Sequence, residues 1–106
     1  MNEIQEIYAT LHELGFCKSQ AEFSRHWLGR SEGYFAYLKS SKAPVALSTI
    51  GMLIGRLEAI RPTLDDSRWY QERRRISGAI IAAKVMYEGE YELRFVPPWA
   101  RVTAVC

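Results

Sequence analysis

Apolar positions in the first half of the chain recur every three or four residues, the spacing that lines one face of an α-helix. Ile4, Ile7, Tyr8, Leu11 and Leu14 form such a stripe over Asn2–Leu14, and Gly15 behind it is a natural helix stop. Over Ser19–Leu28, Phe23 and Trp27 are an i, i+4 apolar pair. Ser19 with Glu22 three residues later makes a capping box, and Gly29 ends the run. Ser31–Ser40 reads as a third, shorter helix capped by Ser31. Its inward pair is Phe35 and Leu38, and Tyr34, Ala36, Tyr37 and Lys39 are left for other faces. Gly33 near its start is unfavourable in a helix by roughly 1 kcal/mol relative to Ala, but leaves room for another surface to come close.

A loop over Ser40–Ala46, marked by Pro44, leads to the most regular stripe of the chain: Ile50, Leu53, Ile54, Leu57 and Ile60 within Leu47–Ile60. Arg61-Pro62-Thr63 closes it. A fifth helix is predicted from Asp65 or Asp66, whose carboxylates suit a helix start, to Glu88 before Gly89. Trp69, Arg73, Ile76, Ile80, Ala83 and Tyr87 make a heptad-like seam on it. Ser77, Gly78, Ala79, Ala82 and Ala83 make one side small, a surface that wants either the core or a second copy of the chain. The period then changes. Glu90–Phe95 alternates polar and apolar as a strand does, Pro97-Pro98 stops it, and Arg101–Cys106 is β-leaning and can return as a hairpin. The expected fold class is mainly α: four short helices over 1–62, then a long fifth helix and a short β-strand or hairpin over 63–106.

Composition adds little to this. The chain has 106 residues, 48% hydrophobic and 25% charged, the balance of an ordinary folded domain. Charge is more informative, because the net +2 is unevenly spread. Residues 1–16 carry three acids and no base, for −3, and residues 17–42 carry five bases against two acids, for +3. Residues 43–65 balance, and residues 66–106 hold seven bases against five acids, for +2. The positive excess coincides with the second and third helices, where attraction to phosphate would place it. The two cysteines, Cys17 and Cys106, and the two histidines, His12 and His26, fit no zinc spacing. No nucleophile–base pair, paired-carboxylate or phosphate-loop pattern appears, so neither an enzyme, a cofactor nor a metal is expected. The N-terminus does not read as a signal peptide and no stretch is long enough to span a bilayer. The chain is therefore expected to be cytoplasmic, with no membrane partner.

Ser19-Gln20-Ala21-Glu22-Phe23-Ser24 resembles the T/S-Q-x-E-L-A opening of the second helix in the Cro/phage-repressor-like (lambda-repressor-like, XRE-type) helix-turn-helix family. Gly29-Arg30-Ser31 is similar to that family's turn, Phe35 and Leu38 to the apolar anchors of its recognition helix, and Pro44 with Leu47–Ile60 to its loop and fourth helix. The resemblance covers residues 3–60 and has departures. The link from Phe23 to Gly29 is one residue longer, so the second helix or its turn must absorb a residue. Lys39 and Ser40-Ser41 replace an acidic residue and Gly, and Glu32, Gly33, Tyr34 and Tyr37 stand where Gln, Asn or Arg often read bases.

The resemblance implies a bacterial or phage transcriptional regulator of repressor type that binds double-stranded DNA with its third helix in the major groove. Gln20 would hold a backbone phosphate, and Ser31 would add a phosphate or base contact. Glu32 would accept from a cytosine amino group, and Gly33 would permit close approach. Tyr34 and Tyr37 would meet phosphate or a thymine methyl, and Arg30, Lys39 and Lys42 would meet phosphate. Lys18 and Arg25 are further cations nearby, and Arg73-Arg74-Arg75 is either a solvated helix face or a flank for DNA. One recognition helix reads few base pairs, so a homodimer through residues 66–106 is expected. The alternative is a protein-interaction module on the same fold, an anti-activator, adaptor or antitoxin-like protein with a regulatory protein partner and little or no DNA binding.

Overall fold

The computed structural model describes residues 3–41 and 44–95. The described chain is mainly α-helical: α1 (Glu3–Glu13), α2 (Gln20–Glu22, continued by one π-wound turn, Phe23–Trp27), α3 (Tyr34–Ser41), α4 (Leu47–Ile60) and α5 (Tyr70–Phe95). Two short 3₁₀ turns, Arg61–Leu64 and Ser67–Trp69, carry the chain from α4 to α5.

The apolar stripes become one core. Ile4, Ile7 and Leu11 of α1, Phe23 and Trp27 of α2, Phe35 and Leu38 of α3, Leu53 and Leu57 of α4, and Ile76, Ala79, Ile80 and Ala83 of α5 belong to a single buried cluster. α5 packs across α1 and α4, with Ala79 and Ala83 buried along it. Three rings lock the N-terminal helices together. Phe23 meets Phe35 edge-on at 5.0 Å between centroids, and Tyr8 lies 5.3 Å from Phe23 and 5.1 Å from Phe35. Burying each Phe is worth about 1.5–3 kcal/mol, and favourable ring geometry adds about 0.5–1.5 kcal/mol per pair. This triangle packs α3 against α1 and α2.

Two glycines make the turns. Gly15 (φ +83°) ends α1 in a Schellman arrangement, with Phe16 N–H on the Leu11 carbonyl at 2.9 Å and Gly15 N–H on that of His12 at 3.2 Å. Gly29 (φ +67°) ends α2, and a Cβ there would lie 3.3 Å from the Met52 side chain. Ser19 caps α2 as its sequence suggests, its hydroxyl accepting from Glu22 N–H at 3.1 Å. Asp66 acts similarly on the turn into α5, its carboxylate accepting from Arg68 N–H at 3.0 Å.

Three expectations are corrected. The third helix begins at Tyr34, three residues later than Ser31. Ser31 does not cap it but lies in the preceding turn, its carbonyl accepting from Tyr34 N–H at 3.1 Å. Glu90–Phe95 is the last part of α5, not a strand. A helix already long continues by adding one hydrogen bond per residue, and Gly89 is too weak a breaker to stop it. The fifth helix begins at Tyr70, not at Asp65 or Asp66, and Trp69, first in its predicted seam, lies on the 3₁₀ turn ahead of it, 39% exposed, with the Arg68 guanidinium 5.7 Å from its ring. The proposed return strand, Arg101–Cys106, lies outside the described residues.

Candidate nucleic-acid interface

The start of α3 is set from the neighbouring helix. Gly33 occupies its N-cap position, with Tyr37 N–H on the Gly33 carbonyl at 3.0 Å, and glycine has no side chain to satisfy the first free amides. Ser24 supplies the missing acceptor. Its fully buried hydroxyl accepts from Phe35 N–H at 2.9 Å and donates to the Gln20 carbonyl at 3.0 Å. One hydroxyl therefore ties the first turn of α2 to the first turn of α3. The π-wound turn holds Ser24 within it: Leu28 N–H reaches Phe23 O at 3.0 Å, and Arg30 N–H reaches Ser24 O at 2.8 Å. Such a turn takes up one residue more than an α turn would.

Phe35 and Leu38 face the core, so the opposite side of α3 meets solvent. Ala36, Tyr37, Lys39, Ser40 and Ser41 are exposed, as are Ser31, Glu32 and Gly33 ahead of the helix, and Tyr34 is half-buried. Tyr37 is the largest of these, 55% exposed, with its ring 6.4 Å from that of Tyr34. Ser40 and Ser41 hydroxyls donate to the Tyr37 carbonyl at 3.2 and 2.7 Å, satisfying an acceptor at the end of the helix.

The polar candidates gather into three small groups. Lys39 Nζ donates to Gln20 Oε1 at 2.8 Å, which places the start of α2 beside the second turn of α3, and it lies 5.2 Å from the Phe35 ring. Arg25 pairs with Glu32 at 3.2 Å. Arg30 is held from two sides: its Nε donates to the buried Thr49 hydroxyl at 2.8 Å, and its guanidinium lies 5.3 Å from the Tyr34 ring. Lys18 is exposed beside the N-cap of α2, and Lys42 lies outside the described residues. In the Arg73-Arg74-Arg75 run, Arg73 pairs with Asp65 at 3.7 Å and Arg75 with Glu13 at 2.7 Å, so two of the three cations are engaged within the chain.

Two residues that organise this surface were not singled out from the sequence, Ser24 and Thr49. The signal was present for Thr49, which is spaced by fours with Leu53 and Leu57 and so falls on the buried face of α4. Ser24 follows Phe23 on the buried side of α2, and a buried hydroxyl requires a partner.

The surface presents amide, hydroxyl, guanidinium and ammonium groups along α3 and the turn before it. Among the described residues no group of three or more His, Cys, Asp or Glu side chains is placed to hold a metal ion, and no helix is long and apolar enough to cross a membrane. No curated protein and no solved structure matches the chain. One family model does match, over residues 4–95, which is nearly all of α1–α5, and the chain accordingly belongs to the family of unknown function DUF6626.

Proposed function

We propose that the chain is a small sequence-specific DNA-binding transcriptional regulator acting as a homodimer. In this reading α1–α4 form a lambda-repressor-like helix-turn-helix core and α3 enters the major groove. The observation that carries it is the Ser24 bridge, which ties α3 to α2 while the face of α3 bearing Ala36, Tyr37 and Ser40 stays exposed to solvent. The π-wound turn also supports it, because it accommodates the residue by which the Phe23–Gly29 link exceeds the family's spacing. Gln20 and Lys39 meet at one edge, where together they suit a single phosphate. Arg30, pre-set by Thr49 and Tyr34, has little freedom left to lose on binding. Tyr37 and Glu32 are the base-reading side chains, Glu32 after exchanging Arg25 for a cytosine amino group.

The test is titration of a randomised duplex pool with the folded chain at moderate salt, followed by the salt dependence of any enriched site. Arg30, Lys39 and Lys42 on each of two copies would release about six counterions, giving a slope of log K against log salt near −5. No enrichment would reject the reading. A second reading, an interaction module for a regulatory protein partner, draws on one feature: the uncharged patch of Tyr34, Tyr37, Gly33 and Ala36, beside an Arg25 already neutralised by Glu32. Absence of DNA affinity together with a tight protein complex blocked by Tyr37→Ala would select it.

A further inference from the structure

α5 carries two seams, and the fold uses only one. Ile76, Ala79, Ile80 and Ala83 are buried against α1 and α4. On the opposite side, Arg74, Gly78, Ile81, Val85 and Glu88 follow one another at spacings of four, three, four and three residues, and all are exposed. Ile81 is 64% and Val85 63% exposed, more than any other large apolar side chain among the described residues. Ile81 and Val85, one turn apart between Arg74 and Glu88, form an outward apolar patch that a partner would cover. Gly78 agrees with this. It weakens the interior of a helix, and a Cβ there would meet nothing within the chain, so no contact of the single copy explains it.

We infer that this face is covered by the same face of a second copy, in an antiparallel α5–α5 pair with Ile81 at the two-fold axis. The charges choose the partner and the direction. Arg74 and Glu88 lie seven residues on either side of Ile81, about 10.5 Å along the helix. Antiparallel pairing sets Arg74 of each copy beside Glu88 of the other, whereas parallel pairing would oppose like charges. Arg74 is the member of its arginine run with no ion pair to another described residue, and Glu88 has none either. In the same register Val85 falls opposite the Ser77–Gly78 step, where the missing side chain gives it room. α5 lies on α1 and α4, so the contact leaves the exposed side of α3 open.

This inference rests on the homodimer in the proposed function and not on its DNA contact, and its test contains no DNA. Sedimentation velocity of the full chain over a concentration series gives the dimer constant for the natural sequence, Ile81→Glu, Arg74→Glu and Glu88→Arg, with circular dichroism confirming retained helix. The altered side chains are exposed, so the fold should persist. The natural chain is expected to dimerise, Ile81→Glu to weaken the dimer at least about 100-fold, and each charge reversal about tenfold. An equimolar mixture of Arg74→Glu and Glu88→Arg chains is expected to recover dimer, because every charge pair between unlike copies is then opposite in sign. A monomeric natural chain, a dimer indifferent to Ile81→Glu, or a mixture no tighter than its components overturns the inference. None of these outcomes bears on whether α3 binds DNA, which the pool titration decides separately.

Discussion

Replacing Ser24 by alanine probes the joint on which the candidate interface depends. The hydroxyl is fully buried, and it is the acceptor for Phe35 N–H at 2.9 Å; the Gln20 carbonyl, which takes the hydroxyl's own proton, keeps Phe23 N–H as a donor. Ser24→Ala therefore leaves one buried amide without a partner. An unsatisfied buried donor costs about 1–3 kcal/mol, and loss of an N-cap acceptor about 1 kcal/mol. These describe the same bond and do not add, so the expected loss is about 2 kcal/mol. For a domain of this size that is about 10 °C in melting temperature. Urea denaturation followed through the buried Trp27 measures it, with Ser48→Ala, an exposed serine of α4, as the control. The midpoint should fall with an unchanged m-value. A loss below about 0.5 kcal/mol, within the range of ordinary surface substitutions, would refute the claim that Ser24 holds α3 in place.

Gly29→Ala should destabilise by about 1–2 kcal/mol in the same assay, since it forces a side chain into φ +67° and against Met52; a neutral result would show that this turn is not strained. Burial pushes the Cys17 thiol above the usual thiol range. Because the unfolded chain ionises first, the folded state loses stability as pH rises through the unfolded thiol's value, and native Cys17 should resist iodoacetamide until the chain is denatured. Rapid labelling of the native chain at Cys17 would contradict its placement. If α3 meets DNA, Lys39→Gln should weaken binding to all sequences alike and reduce the salt slope of a dimer by about 2, whereas an unchanged slope would remove Lys39 from the phosphate contacts.

Much of this fold is legible in the chain because burial follows period. The stripes of α1 and α4 and the Ile76, Ile80 and Ala83 positions of α5 land in the core where their spacing puts them. The start of α3 was not legible, because its acceptor comes from Ser24, eleven residues earlier, and no local pattern announces a cap supplied across a turn. Glu90–Phe95 shows a different limit. Six alternating residues satisfy a strand template, but the helix arriving from Tyr70 carries through them, and propagation outweighs a short pattern. The outward seam of α5 was hidden for a third reason. The small residues Ser77, Gly78, Ala79, Ala82 and Ala83 suit either the core or a second copy, and the fold buries Ala79 and Ala83 in its own core, so the outward seam lies on the other side of the helix. The candidate interface was named from the sequence as a set of residues, without Ser24 and Thr49. Its organisation into the Gln20–Lys39, Arg25–Glu32 and Arg30–Thr49 pairs was not, since each joins positions that only the folded chain brings together.

The central claim is that the solvent side of α3 receives a duplex. Backbone amide shifts of the isotopically labelled chain, followed during titration with the best duplex from the random pool, test it residue by residue. The account predicts changes concentrated at Gln20, Arg30 through Tyr34, Tyr37 and Lys39, weakening as salt rises. Changes confined to α1 or α5, or a spectrum unmoved by DNA, would contradict it.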